Sequence, residues 1–187
     1  MRLSKARIGA LSDLEMTEEQ KEILAPQYER GNPFNIFRTL VRAPVAIQRF
    51  LAWGSYILSN KNDLPARDRE LVILRTGFNW KAGYEWAQHE RIGLACGLTE
   101  AEIAAIKVGP SDPAWSELDR AMLRAVDELT HDTFITDETW ASLSSLSEKQ
   151  RMDLVFTTGQ YTQVCMMLNS FGVQLDDDLT IDPDLLG

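Results

Sequence analysis

Glu85 and His89 stand four residues apart in the run Tyr84-Glu85-Trp86-Ala87-Gln88-His89. On a helix that spacing is about one turn, so the carboxylate and the imidazole share a face. Imidazole changes charge near neutral pH, and a carboxylate beside it orients the ring and shares its proton. Such a pair suits proton transfer to or from carbon or oxygen. The competing reading is a boundary histidine paired with Glu85 for modest helix support. Glu70 is a third candidate. It precedes the apolar run Leu71-Val72-Ile73-Leu74, where a carboxylate can point into a pocket or, alternatively, lie on a polar face with Arg67 or Arg69. The planar fork of Arg75 would suit a substrate carboxylate, with a salt bridge as its alternative fate. Trp80, Tyr84 and Trp86 are candidates to line an aromatic-shaped cavity, although Tyr84 and Trp86, two apart, diverge on a helix. Tryptophans also serve as core anchors.

Other chemistries find less support. His131, in Thr130-His131-Asp132, reads as a residue at a helix end. With two histidines in the chain and no ligand spacing, no metal site is expected. There is no phosphate loop, dinucleotide fingerprint or nucleophile elbow, and no cofactor is expected. Cys96 and Cys165 lack the local pairing of a dithiol and read as packing residues; a bridge between them stays open.

The elements that must position these residues are helices. No sustained alternation of β-branched residues and no hairpin signal interrupts the chain. Thr17 with Gln20 reads as a capping box opening a helix that ends near Gly31-Asn32-Pro33. A short segment, Phe34 to Arg42, follows. Pro44 then fits the first turn of a helix whose stripe is Ile47, Phe50, Leu51, Ile57 and Leu58. Pro65 starts the helix of Glu70 and Arg75. A bend over Asn79 to Gly83 leads into the helix of Glu85 and His89, with Gly97 as its terminal cap. Thr99 and Glu102 form a second capping box. Trp115, Leu118, Met122, Val126 and Leu129 mark a long amphipathic helix, Thr136 or Asp137 opens a short one, and Ser147 opens the last. Leu64, Arg69, Thr76 and Gly77 recur as Leu146, Arg151, Thr158 and Gly159 at an offset of 82 residues. Two diverged helical repeats would account for this, as would two amphipathic helices of like composition.

The 187 residues, 44% of them apolar, suffice for one core. We read residues 1–187 as a single domain with an N-terminal helical extension over about 1–43. Five aspartates, Asp176, Asp177, Asp178, Asp182 and Asp184, mark a tail over about 173–187. Their mutual repulsion predicts a solvated, partly mobile segment. A net charge of −9 disfavours nucleic acid and anionic membranes as partners. No apolar run approaches membrane-spanning length, and the basic start, Met1 to Arg7, lacks the apolar core of an export signal. The expected location is the cytoplasm.

Arg69-Glu70-Leu71-Val72-Ile73-Leu74-Arg75, followed by Tyr84-Glu85-Trp86-Ala87-Gln88-His89-Glu90-Arg91-Ile92-Gly93, resembles the carboxymuconolactone decarboxylase family, in the superfamily that includes alkylhydroperoxidase-like proteins. The resemblance is strongest over residues 45–107 and continues in helix order to about 172. It implies an all-α, compact multi-helix bundle of the alkylhydroperoxidase-like type. The redox branch of that family carries a Cys-x-x-Cys pair with a histidine four residues beyond. Placing that histidine on His89 puts the cysteine positions on Ala82 and Glu85, neither a thiol. The resemblance therefore implies that thiol peroxidase activity is absent. Glu70 matches the upstream glutamate that relays protons in redox members.

The decarboxylase branch implies a cofactor-free homo-oligomer (dimer, trimer or hexamer) acting on a small carboxylated lactone or aromatic-derived acid. In that reading His89 protonates the carbanion left by loss of carbon dioxide. Glu85 orients His89, Glu70 tunes the pocket, Arg75 anchors a carboxylate, and Trp80, Tyr84 and Trp86 contact substrate. The alternative from another class is a catalytically silent homo-oligomeric binding or structural protein on the same scaffold. A pocket touching Glu70, Glu85 and His89 would favour the enzyme.

Overall fold

The structure, a computed structural model, describes residues 1–186; Gly187, the last position of the predicted tail, lies outside the described residues. Among the described residues the chain is all-α, with nine α-helices and one short 3-10 helix. They are α1 (Glu18–Tyr28), α2 (Asn35–Leu40), α3 (Pro44–Ile57), α4 (Ala66–Asn79), α5 (Gly83–Ala95), α6 (Glu100–Val108), α7 (Glu117–Asp132), α8 (Asp137–Ser142) and α9 (Glu148–Phe171). The 3-10 turn is Pro183–Leu185.

The starts fall where side-chain oxygens can satisfy free backbone N–H groups. Thr17, Thr99 and Ser147 each complete a capping box, with Gln20, Glu102 and Gln150 respectively. Ser116 and Thr136 cap α7 and α8. Gly172 closes α9 in the left-handed region, at φ +68°, where a Cβ would be strained.

α4 lies at the centre, packed against α5, α6, α7 and α9. Every residue from Arg69 to Gly77 is buried, so even its polar positions have no solvent face. The main core joins α4 to α6 and α7 through Leu71, Leu74, Ile106, Met122 and Val126. A second cluster, with Ile36, Ile57, Ile73, Tyr84 and Tyr161, lies toward α2, α3 and α9. The turn from α4 into α5 uses Lys81 at φ +52°, and the Ala82 amide bonds back to the Gly77 carbonyl at 2.9 Å. That tight reversal lays the Glu70 helix against the His89 helix.

α4 and α9 begin 82 residues apart, at Ala66 and Glu148, the offset seen in the sequence. Thr76 and Thr158 each return a hydroxyl to the carbonyl four residues back, on Val72 and Leu154.

The reading of residues 173–187 as a solvated tail needs correction. Asp176 accepts from the Asn35 amide at 2.8 Å, the Tyr84 hydroxyl at 2.6 Å and Gln88 Nε2 at 2.7 Å. Lys107 Nζ holds Asp182 at 2.6 Å and Asp184 at 2.8 Å. Asp176 and the Asp182–Asp184 pair are held at separate places, so their repulsion is offset by donors and a cation elsewhere in the bundle. Leu185 is buried in the main core.

Candidate active site

Glu70, from α4, and Glu85 and His89, from α5, meet in the interior. Glu70 Oε2 lies 2.6 Å from His89 Nδ1. Glu85 Oε1 lies 3.0 Å from His89 Nε2, one helical turn away. The second contact is close but poorly aligned for a hydrogen bond, and Glu85 Oε1 is otherwise a buried oxygen without a partner. All three side chains are almost wholly enclosed. Burial alone would pull the His89 pKa down, but Glu85 and Glu70 outweigh it and push it up to about 10. At neutral pH the ring is therefore an imidazolium clasped between two carboxylates. It is equipped to donate a proton rather than to take one.

The ring of Tyr161, on α9, meets His89 edge to face at 5.0 Å between centroids. Burial, with the charges of Glu85 and Glu70, raises the Tyr161 pKa well above its ordinary value. Its hydroxyl stays neutral.

Glu85, His89, Tyr84, Gln88 and Tyr161 form one wall of a cavity of about 510 Å³, a size that suits a small organic ligand. Phe34, Phe37, Phe50, Leu51, Ile57 and Leu58, from α2, α3 and their flanks, supply apolar walls; Gln27 and Arg30 reach it from the end of α1. Glu70 lies behind His89, outside the lining, and acts on the cavity through the imidazole.

Three sequence-predicted contacts fall elsewhere. Arg75 Nε and Nη2 bond the two oxygens of Asp127 at 2.6 and 2.8 Å, while Nη1 donates to the Ile106 carbonyl at 2.7 Å. Its donors are spent on α6 and α7, the salt-bridge alternative, and it lies outside the lining of the cavity. Trp86 is fully buried in the main core beside Phe78. Trp80 Nε1 donates to Thr162 at 3.0 Å, outside the cavity. Tyr84 does reach the cavity, but its hydroxyl is committed to Asp176. Burial and that carboxylate raise its pKa.

The sequence reading missed Tyr161, Gln88, Gln27 and Arg30 as wall residues. Gln88 had a signal, one residue before His89; Gln27 and Arg30 had none, since no periodicity ties α1 to α5. Cys96 and Cys165 are free thiols. Burial raises the pKa of both, with nearby Glu70 adding to the effect at Cys96 and Glu85 at Cys165. Both environments disfavour the nucleophilic thiolate. Neither cysteine lines the cavity.

Residues 44–128, from the start of α3 into α7, match the Carboxymuconolactone decarboxylase family. Over that segment the chain is similar to the family. A peroxidase-related protein from Ralstonia eutropha, described as an alkylhydroperoxidase AhpD core, shares the fold with a TM-score of 0.78 at 17% identity. It covers 91% of this chain and 94% of its own. A peroxidase-related protein from Silicibacter sp. superposes with a TM-score of 0.76 at 16% identity, over 95% of this chain and 97% of its own. A cysteine-to-alanine variant of the debrominase Bmp8, in complex with 2,3,4-tribromopyrrole, gives 0.74 at 13% identity, covering 93% and 94%. These similarities establish the fold. No curated protein matches the sequence. The matched segment contains Glu70, Glu85 and His89, whereas α1, α2, α8 and α9 lie outside it. The cavity is thus built partly by the family segment and partly by helices flanking it.

Proposed function

We propose that the protein is a cofactor-independent carboxy-lyase, or a related lyase, that acts on a small carboxylated lactone or aromatic-derived acid by proton transfer from His89. The observation that carries the reading is the Glu70–His89–Glu85 cluster at the wall of a largely apolar cavity. A substrate carboxylate against apolar side chains loses hydration, which destabilises the charge that decarboxylation removes. The bond between the carboxyl carbon and its neighbour breaks, carbon dioxide leaves, and the electron pair stays on the remaining carbon as a carbanion or enolate. His89 Nε2–H delivers the proton that quenches it. Glu70 holds Nδ1 throughout, and Glu85, whose Oε1 has no aligned bond, is free to shift and return a proton from water. The net change is R–CO₂⁻ plus H⁺ to R–H plus CO₂.

The test is a panel of small carboxylated lactones and aromatic acids, assayed for carbon dioxide release and for incorporation of solvent deuterium at the reacting carbon. Turnover by the native protein that disappears in His89→Gln supports the reading. Undiminished turnover in that variant, or no release and no exchange across the panel, sinks it. Hydroperoxide reduction dependent on Cys96 or Cys165 would point instead to thiol chemistry.

A further inference from the structure

The polar groups of the cavity are divided between two walls of opposite character. The α5 wall holds the Glu85 carboxylate and the His89 imidazolium, with Glu70 of α4 behind the ring, so two carboxylates stand against one cation on that side. The opposite wall, at the end of α1, holds Arg30, whose side chain forms no ion pair and no hydrogen bond among the described residues, and Gln27, whose Oε1 is buried without a partner. α1 packs on α3, whereas α5 packs on α4, α6 and α9, so the two walls belong to different layers of the bundle. Arg69 also lacks a carboxylate partner. It reaches only the Ser59 carbonyl at 3.4 Å and does not line the cavity.

From this arrangement we propose that Gln27 and Arg30 are specificity-determining residues. They bind a spectator carboxylate and an adjacent hydroxyl of the ligand, while its reacting carbon lies at Glu85 and His89. The field across the cavity orients such a molecule, because a carboxylate is repelled by Glu70 and Glu85 and attracted by Arg30. The guanidinium fork matches a carboxylate in geometry as well as charge. The Gln27 terminal amide turns about a soft torsion, and a ligand hydroxyl would supply the donor its oxygen lacks. Both residues precede the family-matched segment, so the selection comes from the N-terminal extension rather than from the shared core. The inference rests on the proposed function for what happens at His89, but the carboxylate contact stands on binding alone.

The experiment is calorimetric titration of the full chain with mandelate, whose hydroxyl is on the carbon next to the carboxylate, its uncharged amide, and phenylacetate. The acid should bind roughly tenfold or more tightly than the amide. Arg30→Gln should erase that preference and leave amide binding unchanged, Arg30→Lys should restore part of it, and Gln27→Leu should weaken the hydroxylated acid but not phenylacetate. His89→Gln should keep the preference for acid over amide, which separates this test from that of the catalytic reading. A preference that survives Arg30→Gln, one that disappears in His89→Gln, or no binding of the acid at millimolar concentration overturns the proposal.

Discussion

Arg75 and Glu70 leave the same helix, α4, five residues apart, and so about 140° apart around its axis. Each is buried and each enters a charged cluster. Around Arg75 the accounts close: its guanidinium nitrogens are bonded to Asp127 and to the Ile106 and Lys107 carbonyls, and Asn79 donates to Asp127 at 2.8 Å. Around Glu70 they do not. His89 is bound well on one side, contacted off-axis on the other, and Glu85 Oε1 is left unmatched beside a cavity. A satisfied buried network fixes helices against one another. An incomplete one keeps a charge and a proton available, the condition on which the chemistry proposed at His89 depends.

The largest expected effect breaks the first cluster. His89→Gln should reduce turnover by about 100-fold or more, the usual scale of general acid–base catalysis, with helix content by circular dichroism unchanged. A smaller loss of turnover than tenfold would remove His89 from the chemistry. Next comes Arg75→Met, which strands Asp127. It should cost about 3 kcal/mol in urea unfolding, near the low end for breaking a buried pair because Asp127 is partly exposed, while activity per folded molecule stays close to native. A selective loss of activity in that variant would erase the contrast between the clusters.

The contrast also has a pH signature. The His89 pKa is near 10 in the folded protein against 6.5 for the free side chain, so the folded state holds the extra proton between those values. The stability this contributes is complete below about pH 6.5 and is lost as pH rises through about 10. Urea unfolding should therefore show native stability falling across that window, by at most about 1.4 kcal/mol per pH unit for one group. His89→Gln should show a flatter profile, and an NMR titration of the imidazole should place its midpoint far above neutrality. The smallest effect belongs to the tail. Asp176→Asn should cost about 1 kcal/mol and increase hydrogen exchange over residues 173–186, leaving Arg75 and its partners protected.

Much of the helical order was legible because its signals are local. Thr17, Thr99 and Ser147 announce helix starts within four residues, and the Glu85–His89 contact follows from one turn of α5. Glu70 was legible from the apolar run that follows it, and the family resemblance added the upstream glutamate it matches. Arg75 misled because its partner, Asp127, lies 52 residues away on α7. Nothing near either residue in sequence indicates the pair. The tail misled for the same reason. Its aspartates look mutually repulsive in a row, while the groups that hold them, Asn35, Tyr84, Gln88 and Lys107, come from α2, α5 and α6. Gln27 and Arg30 share a cavity with His89 only because α1 folds over α3.

The joining of α4 and α5 through Glu70 and His89 also bears on how a lineage could lose this chemistry. Replacing His89 alone removes the one positive charge between two enclosed carboxylates, leaving Glu70 and Glu85 facing each other across the helix seam. A descendant that abandoned catalysis would be under pressure to neutralise one of them as well. Paired substitutions, an uncharged residue at 89 together with one at 70 or 85, are the trace that such a loss would leave.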